Sequence, residues 1–293
     1  MYLEKYINIS LLYSIIVMLN SNLVITGEKI QEKCDIYLGK LDDFNFNPRI
    51  AGQTNKFCYF DNIQSEFDNP KLIFSYTHNI YSLANKISFF KNDFILITHN
   101  SDENIIECES VITILNCDKL SKWYTQNMCY EHEKLFFLFI GLANSQWSHG
   151  NLSIFDNPSI MNNLHIKSKN IYFNFGISTN SSKRQPCYDL LKDKLEWLQN
   201  IQPIDNLYRL KEYEFCICPE GNGLDTHRLW EALYLKVVPI VIDSAFSRIL
   251  QKNKLPIIIL ESWDKLDPSS LNYKDHNFDI IYDKFTMDTI LNF

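Results

Sequence analysis

Length, composition and charge set broad limits on what the chain can be. It has 293 residues, of which 46% are hydrophobic and 22% are charged, and its net charge is −7. These values suit a globular protein with one large domain or with two domains of about 150 residues each. The acidic balance argues against general nucleic-acid binding, which usually needs a basic face.

The cysteines and the N-terminus bear on the compartment. The eight cysteines include no Cys-x-x-Cys pair, so we expect buried free thiols in a reducing cytoplasm. The stretch from Ile9 to Leu19 is mostly apolar and has the length of a signal-peptide core, but it is short for a membrane span. Two interpretations stay open: a structured helix, or a signal or anchor that leads to the Golgi or ER lumen. Membrane contact is expected only through residues 1–20.

The first half of the chain alternates short apolar runs with helical patterns. The predicted strands are 23–26, 35–38, 71–76, 94–98, 111–115 and 135–140, and the predicted helices are 28–33, 80–90 and 119–127. The run from Phe94 to Thr98 is apolar up to its last residue, as expected for a strand buried on both faces of a parallel sheet.

The second half repeats this alternation after a polar stretch at 151–169, which predicts a linker. Its predicted strands are 171–175, 215–218, 237–242 and 255–260, and its predicted helices are 184–200, a helix that starts at 225 or 226, 247–252 and 279–293. Pro239 favours a strand start or a sheet edge over a strand centre. The alternation predicts two parallel-sheet α/β domains, 1–155 and 165–293.

Polar residues follow the predicted strands of both halves. Parallel sheets bind ligands beyond the carboxyl ends of their strands. Four clusters occupy such positions: 98–102, 141–149, 176–184 and 220–228. We therefore expect one cleft between the two domains, lined by these clusters.

The segment from 215 to 243 carries the clearest chemistry. Its first apolar run ends in a cluster with two glycines, and Asp225 or Thr226 can cap the helix that follows. A helix N-terminus behind a glycine turn attracts anions, and Arg228 adds a cation there. Glu231, one turn further along, can accept hydrogen bonds from sugar hydroxyls. Together these features predict a nucleotide-sugar pocket.

This segment also resembles a known family. The string FCICPEGNGLDTHRLWEAL, followed by VPIV, is similar to the donor-site motif of exostosin-like glycosyltransferases, above all to the short forms in algae and large DNA viruses. The stretches ITHNSD at 97–102 and IGLANSQWSHG at 140–150 resemble recurrent segments of the same family. The resemblance covers residues 71–260. The chain departs from the family at Lys236, where a glycine usually ends the helix.

The resemblance implies a GT-B architecture, in which two Rossmann-like domains face each other across a cleft. The C-terminal domain would hold a nucleoside-diphosphate sugar, expected to be UDP-linked, and the N-terminal domain a glycan or glycoprotein acceptor. The implied reaction is an inverting transfer to an acceptor hydroxyl without an essential metal, in the host cytoplasm if the chain is viral. No nucleic acid is expected as a partner. The alternative is an inactive protein that keeps the fold and binds glycans or nucleotides; a non-enzymatic assembly protein is a third class.

The resemblance and the strand-end positions together nominate the site residues. The expected donor contacts are Lys183, Arg184, Glu220, Gly221, Asn222, Gly223, Asp225, His227, Arg228 and Glu231. The catalytic base is expected in the first half, where Asp102 is the leading candidate and His99 and His149 are the alternatives.

Simpler explanations compete with several of these roles. Arg228 and Glu231 are three residues apart, so they can form an ion pair on one helix. Lys183 and Arg184 can belong to a solvated helix start, and His227 can be a structural, hydrogen-bonded histidine. The sequence leaves these alternatives open.

Overall fold

Two parallel β-sheets and the helices between their strands make up the protein. The computed structural model describes residues 19–44 and 49–290. The apolar N-terminal stretch and its signal or anchor interpretation lie almost wholly outside these residues. Among the described helices, none is long and apolar enough to cross a membrane.

The first sheet has six strands in the order β2-β1-β3-β4-β5-β6. Its strands are β1 (Ile36–Gly39), β2 (Phe57–Tyr59), β3 (Leu72–Tyr76), β4 (Phe94–His99), β5 (Leu120–Thr125) and β6 (Leu135–Phe137). The helices of this half are α1 (Gly27–Lys33), α2 (Ile80–Ala84) and α3 (Glu109–Leu115). Every residue of β4 is buried, which confirms the prediction from its apolar run.

The second sheet has four strands in the order β10-β9-β8-β7. Its strands are β7 (Lys169–Tyr172), β8 (Tyr213–Ile217), β9 (Val238–Ile242) and β10 (Ile258–Leu260). The helices of this half are α4 (Pro158–Met161), α5 (Ser181–Leu191), α6 (Asn206–Leu210), α7 (His227–Tyr234), α8 (Ala245–Lys252), α9 (Asp279–Lys284) and α10 (Met287–Ile290). The α/β class with two parallel sheets is thus confirmed, whereas the domain limits stay predictions.

Two neighbouring elements of the first half were predicted in the wrong class. Residues 111–115 form part of α3 and not a strand, and residues 120–125 form β5 and not a helix. The β-branched run that begins at Val111 favours a strand by propensity. However, Val111, Ile114 and Leu115 are all buried, and this spacing places them on one face of a helix. Packing on the sheet therefore overrides the local preference.

Smaller differences concern element limits. The run at 23–26 is not a strand and contributes one isolated bridge, from Thr26 to Leu142. The helix expected over 184–200 ends at Leu191, and β2 was not predicted. The polar linker at 151–169 includes α4.

Pro239 lies near the start of an interior strand. The carbonyl of Ile240 accepts a hydrogen bond from the Cys218 amide, so the polar groups of Ile240 face β8 and those of Pro239 face β10. Pairing with β10 begins only at Ile240, opposite Ile258. The missing amide hydrogen of Pro239 therefore removes no bond from the sheet, and the predicted strand start is correct although β9 is not an edge strand.

The two halves share a packed boundary. Phe139, just after β6, stacks on Trp230 of α7 with ring centroids 3.8 Å apart. The C-terminal tail returns to the first half, since the Met287 amide donates to the Leu23 carbonyl and Phe285 packs against Phe139. This boundary fixes the strand ends of one sheet relative to those of the other.

Candidate functional site

The glycine turn after β8 lies against the strand ends of the first sheet. A Cβ atom on Gly223 would lie 2.9 Å from Asn127 Nδ2 and 3.3 Å from the Asp102 carbonyl oxygen. The Asp225 amide also donates to Asn127 Oδ1 over 2.8 Å. The cluster at 98–102 and the cluster at 220–228 are therefore neighbours, and a larger residue at 223 would have to displace the Asn127 side chain.

The Asp225 side chain forms hydrogen bonds at the boundary between the two halves. It is 2% exposed, and its two carboxylate oxygens accept from the Ile140 amide over 2.6 Å and from Trp230 Nε1 over 2.7 Å. Burial raises the pKa of Asp225 to about 7, and these hydrogen bonds offset part of that rise. The cap of α7 is Thr226 and not Asp225. This carboxylate therefore joins the sheets and does not face a ligand.

Arg228 and Glu231 form an ion pair, but a buried one. Arg228 Nε lies 3.0 Å from Glu231 Oε2, and the two side chains are 18% and 6% exposed. The two terminal nitrogens donate to the Asn174 carbonyl and to Asn206 Oδ1. Glu231 Oε2 also accepts a hydrogen bond from the side-chain nitrogen Nδ2 of Asn206. Three of the five guanidinium hydrogens of Arg228 are thus committed within the protein, which leaves two for any ligand.

Arg184 is a cation that forms no ion pair with any carboxylate of the described residues. Its side chain is nearly buried at 9% exposure, and it donates from Nε to the Glu220 carbonyl and from Nη1 to the Gly176 carbonyl, both over 2.8 Å. Within the described part of the chain, Nη2 has no hydrogen-bond partner and no carboxylate forms a salt bridge with the guanidinium. Burial, together with the nearby charge of Arg228, lowers the pKa of Arg184. A buried cation without a counter-ion favours the approach of an anion.

The glycine turn runs beside this unpartnered nitrogen. A Cβ atom on Gly221 would lie 3.3 Å from Arg184 Nη2. The turn is closed by a bond from the Gly221 amide to the Gly223 carbonyl, and Asn222 is exposed at its tip. Lys183 adds a second cation, 3.6 Å from Glu220 Oε2.

A cavity of about 250 Å³ opens beside the glycine turn, at the carboxyl ends of β8, β9 and β10. Its apolar lining includes Pro186, Leu190, Leu224, Leu229, Val241, Ile242, Phe246, Leu250 and Trp263. Its polar lining includes Ser182, Lys183, Glu220, Ser244, Glu261 and Ser262. The cavity thus combines apolar walls with a few polar groups, as small-molecule sites do.

The residues after β9 and β10 were not among the predicted site residues. Ser244, Glu261 and Ser262 follow strands whose existence the sequence did indicate. The strand-end rule that selected the other clusters would have selected them as well. They were missed because no glycine-rich turn follows either strand.

The three candidate bases have different surroundings. His99 is fully buried, with Nε2 2.9 Å from the Phe139 carbonyl and Nδ1 3.1 Å from Asn100 Oδ1. Burial lowers the pKa of His99 to about 4. Asp102 and His149 are both exposed. The geometry therefore favours Asp102 and His149 over His99 as a group that can reach an acceptor.

His227 connects these candidates to α7. Its Nδ1 lies 2.9 Å from the Gly141 carbonyl, and its ring centroid is 6.0 Å from that of His149. Burial lowers the pKa of His227, while Asp102 is close enough to oppose that shift through its charge. His149 and His227 are thus neighbours, and the charge of Asp102 acts on His227. The bond to Gly141 agrees with a structural role for His227, and the contact with His149 leaves a ligand role open.

Across residues 19–44 and 49–290, no three His, Cys, Asp or Glu side chains are grouped so that they could hold a metal ion. Comparisons of the sequence with protein-family models and with curated proteins found no match. The functional assignment therefore depends on the geometry and on the motif resemblance.

Proposed function

We propose that the protein is a glycosyltransferase of the GT-B type. It binds a nucleoside-diphosphate sugar, UDP-linked, at the carboxyl ends of β8, β9 and β10. It transfers the sugar with inversion to a hydroxyl of a glycan or glycoprotein acceptor held against the strand ends of the first sheet. The proposal needs no metal, because the cations of the protein itself stabilise the leaving group.

The observation that carries the proposal is an apolar cavity beside the glycine turn, together with a buried arginine next to that turn that forms no salt bridge with any described residue. A nucleoside diphosphate has a planar base and an anionic diphosphate. Its binding site therefore needs an apolar surface for the base and a cation for the diphosphate. Trp263 and Phe246 line the apolar part of the cavity, where a base would be shielded from water. Arg184 Nη2 and Lys183 would meet the diphosphate, since guanidinium and ammonium groups donate well to phosphate oxygens.

The transfer itself divides between the two halves of the chain. The acceptor hydroxyl gives its proton to the Asp102 carboxylate, or to His149, as its oxygen attacks the anomeric carbon of the donor. The bond from that carbon to the diphosphate breaks in the same step, and the diphosphate leaves with the bonding electron pair. Arg184 and Lys183 stabilise the charge that develops on it.

The alternative is a protein that binds a nucleotide or glycan without turnover. It is favoured by the commitments of Asp225, Arg228 and Glu231 within the protein, because fewer of the nominated groups remain to act on a transition state. The two functions share the donor pocket and differ only in chemistry.

A binding experiment tests what both functions share. Calorimetric titration of the full chain with UDP and with GDP should show binding, and Lys183→Gln should weaken it about fivefold to tenfold through the loss of one charged hydrogen bond. Arg184→Met should weaken it further. Arg248→Met is the matched control, since Arg248 is an exposed arginine paired with Asp243. If neither nucleotide binds at millimolar concentration, the transferase and the nucleotide-binding form of the alternative are both excluded.

A turnover experiment separates the two functions. UDP release from a panel of UDP-sugars, with glycan acceptors present, should be abolished by Asp102→Asn or by His149→Gln while UDP affinity stays unchanged. Nucleotide binding by the wild-type protein without release above the blank, across the panel, would support the non-catalytic alternative.

A further inference from the structure

A second concavity lies along β7, the outer strand of the second sheet. It is a groove of about 780 Å³, formed by the start of β7, the segment 194–202, and parts of α6 and β8. The groove and the donor cavity share no lining residue. Lys169 and Tyr213 are the first residues of their strands, so the groove begins at the amino ends of the strands and is separate from the candidate active site.

The walls of the groove are rich in planar polar side chains. Asn170, Gln199, Asn200 and Gln202 supply amides, and Glu196 supplies a carboxylate. All five are exposed, and none of their side chains forms a hydrogen bond with another described residue. Amides and carboxylates together offer both donors and acceptors, which is the pattern that matches a set of hydroxyl groups.

Two aromatic residues give the groove apolar surface as well. Tyr213 is only 7% exposed: it packs edge-on against Tyr172, with ring centroids 5.0 Å apart, and Lys169 Nζ lies over its ring, 5.2 Å from the centroid. Trp197 is partly exposed and is held by three edge contacts with Phe173, Phe175 and Tyr188 at 4.8–5.1 Å. Rigid aromatic rings suit ligands whose faces carry C–H groups and whose rims carry hydroxyls.

The charge of the groove argues against a polyanion. Three cations line it (Lys169, Lys194 and Arg209) and two anions (Glu196 and Asp205), an excess of one positive charge. Moreover, Lys169 pairs with Glu212 over 2.9 Å and Lys194 donates to the Asp264 carbonyl. The remaining charges nearly balance, so an uncharged polar ligand fits better than a sulfated or phosphorylated one.

Addition of a peptide strand to β7 fits less well. β7 has four residues, and the chain already covers the edge just beyond it, because the Leu198 amide donates to the Phe173 carbonyl and Asn174 Nδ2 donates to the Leu198 carbonyl. Little open strand edge is left for main-chain pairing, on which strand addition depends.

We propose that this groove binds an uncharged oligosaccharide. The amides and Glu196 bond its hydroxyls, and Trp197 contacts a sugar face. The site holds a glycan chain at a distance from the strand ends where the transfer is placed. It does not depend on the transferase proposal, because it shares no residue with the donor cavity.

The test uses neutral hexasaccharides as probes. Maltohexaose, chitohexaose and xylohexaose are titrated into the full chain by calorimetry, with a sulfated hexasaccharide as the charged comparison. At least one neutral probe should bind, and the triple variant Asn170→Ala, Gln199→Ala, Gln202→Ala should weaken binding about tenfold or more. The three side chains form no hydrogen bond with any other residue that the structure describes, so the variant should fold as the wild type does. Its melting temperature and UDP affinity should be unchanged.

Gln251→Ala is the matched control, since Gln251 is an exposed glutamine on α8, outside the groove. It should leave oligosaccharide binding as it is. The proposal is overturned if no neutral probe binds at millimolar concentration, if the triple variant binds as tightly as the wild type, or if only the sulfated probe binds. None of these outcomes bears on nucleotide binding, which is measured separately.

Discussion

His99 shows how burial changes the role of a single residue. It ends a strand at the expected site, yet it is enclosed by protein and bonds the Phe139 carbonyl, which follows β6 in the same half of the chain. Its pKa falls to about 4 because burial disfavours the imidazolium. The stability that the neutral imidazole contributes is therefore fully present above its unfolded pKa of about 6.5 and is lost as the pH falls towards 4.

The corresponding prediction concerns the stability difference between the wild type and His99→Gln. Between pH 6.5 and pH 4, the wild type should lose up to about 3 kcal/mol relative to the variant. Asp225 acts with the opposite sign, since its raised pKa gives stability at low pH that is lost as the pH rises towards 7. Because Asp225 titrates in both the wild type and His99→Gln, its contribution cancels in the stability difference between the two proteins. Urea unfolding at several pH values measures the free energy of unfolding of both proteins. If the difference between them does not change with pH, His99 is not a buried neutral imidazole.

Two helices end in a non-glycine residue with a strained backbone conformation. Lys236 and Lys254 follow the ends of α7 and α8 with φ angles of 54° and 61°, a region that favours glycine. The departure from the family motif at Lys236 is thus a non-glycine residue in a glycine conformation. The Lys236 side chain also lies over the Tyr282 ring at 5.1 Å, which offsets part of the strain.

We expect Lys254→Gly to stabilise the protein by up to about 1 kcal/mol, because glycine adopts this conformation without strain. Lys236→Gly should gain less, since it also removes the contact with Tyr282. Gln251→Gly, inside α8, is the control and should cost about 1 kcal/mol. Thermal unfolding of the three variants ranks their stabilities. A loss of stability in Lys254→Gly would contradict the proposal that the backbone is strained at this position.

At the scale of the whole molecule, one buried carboxylate connects the two sheets. Asp225 accepts hydrogen bonds from Ile140, which follows β6, and from Trp230 of α7. The stacked pair Phe139 and Trp230 surrounds this contact. The relative placement of the two sheets' strand ends therefore depends on a residue that the motif suggested as a donor contact.

Asp225→Ala should destabilise the protein by about 2–6 kcal/mol, because two buried donors lose their acceptor. Amide exchange should increase at Ile140 before it increases in β4. Asp243→Ala is the control, since it removes only an exposed ion pair with Arg248 and should cost less than about 1 kcal/mol. Equal stability of the two variants in urea unfolding would show that Asp225 does not join the halves.

The sequence by itself was enough to predict the α/β class, two parallel sheets and most of the strands. The apolar run of β4 and the amphipathic face of α7 are properties of neighbouring residues, which local patterns record. The pattern failed at 111–125, where β-branched residues pack as a helix and Trp123 lies in a strand. There, burial against the sheet outweighed propensity.

Only the tertiary structure decided which polar groups remain available. The motif indicated that Asp225, Arg228 and Glu231 belong together, but not that the Asp225 carboxylate bonds an amide 85 residues away. It also did not indicate that Arg184 is a buried cation with a nitrogen that has no partner among the described residues, or that a cavity opens beyond β9 and β10. The physical reason is that hydrogen-bond partners and desolvation depend on distant segments brought together by packing, whereas the sequence records only the order of neighbours.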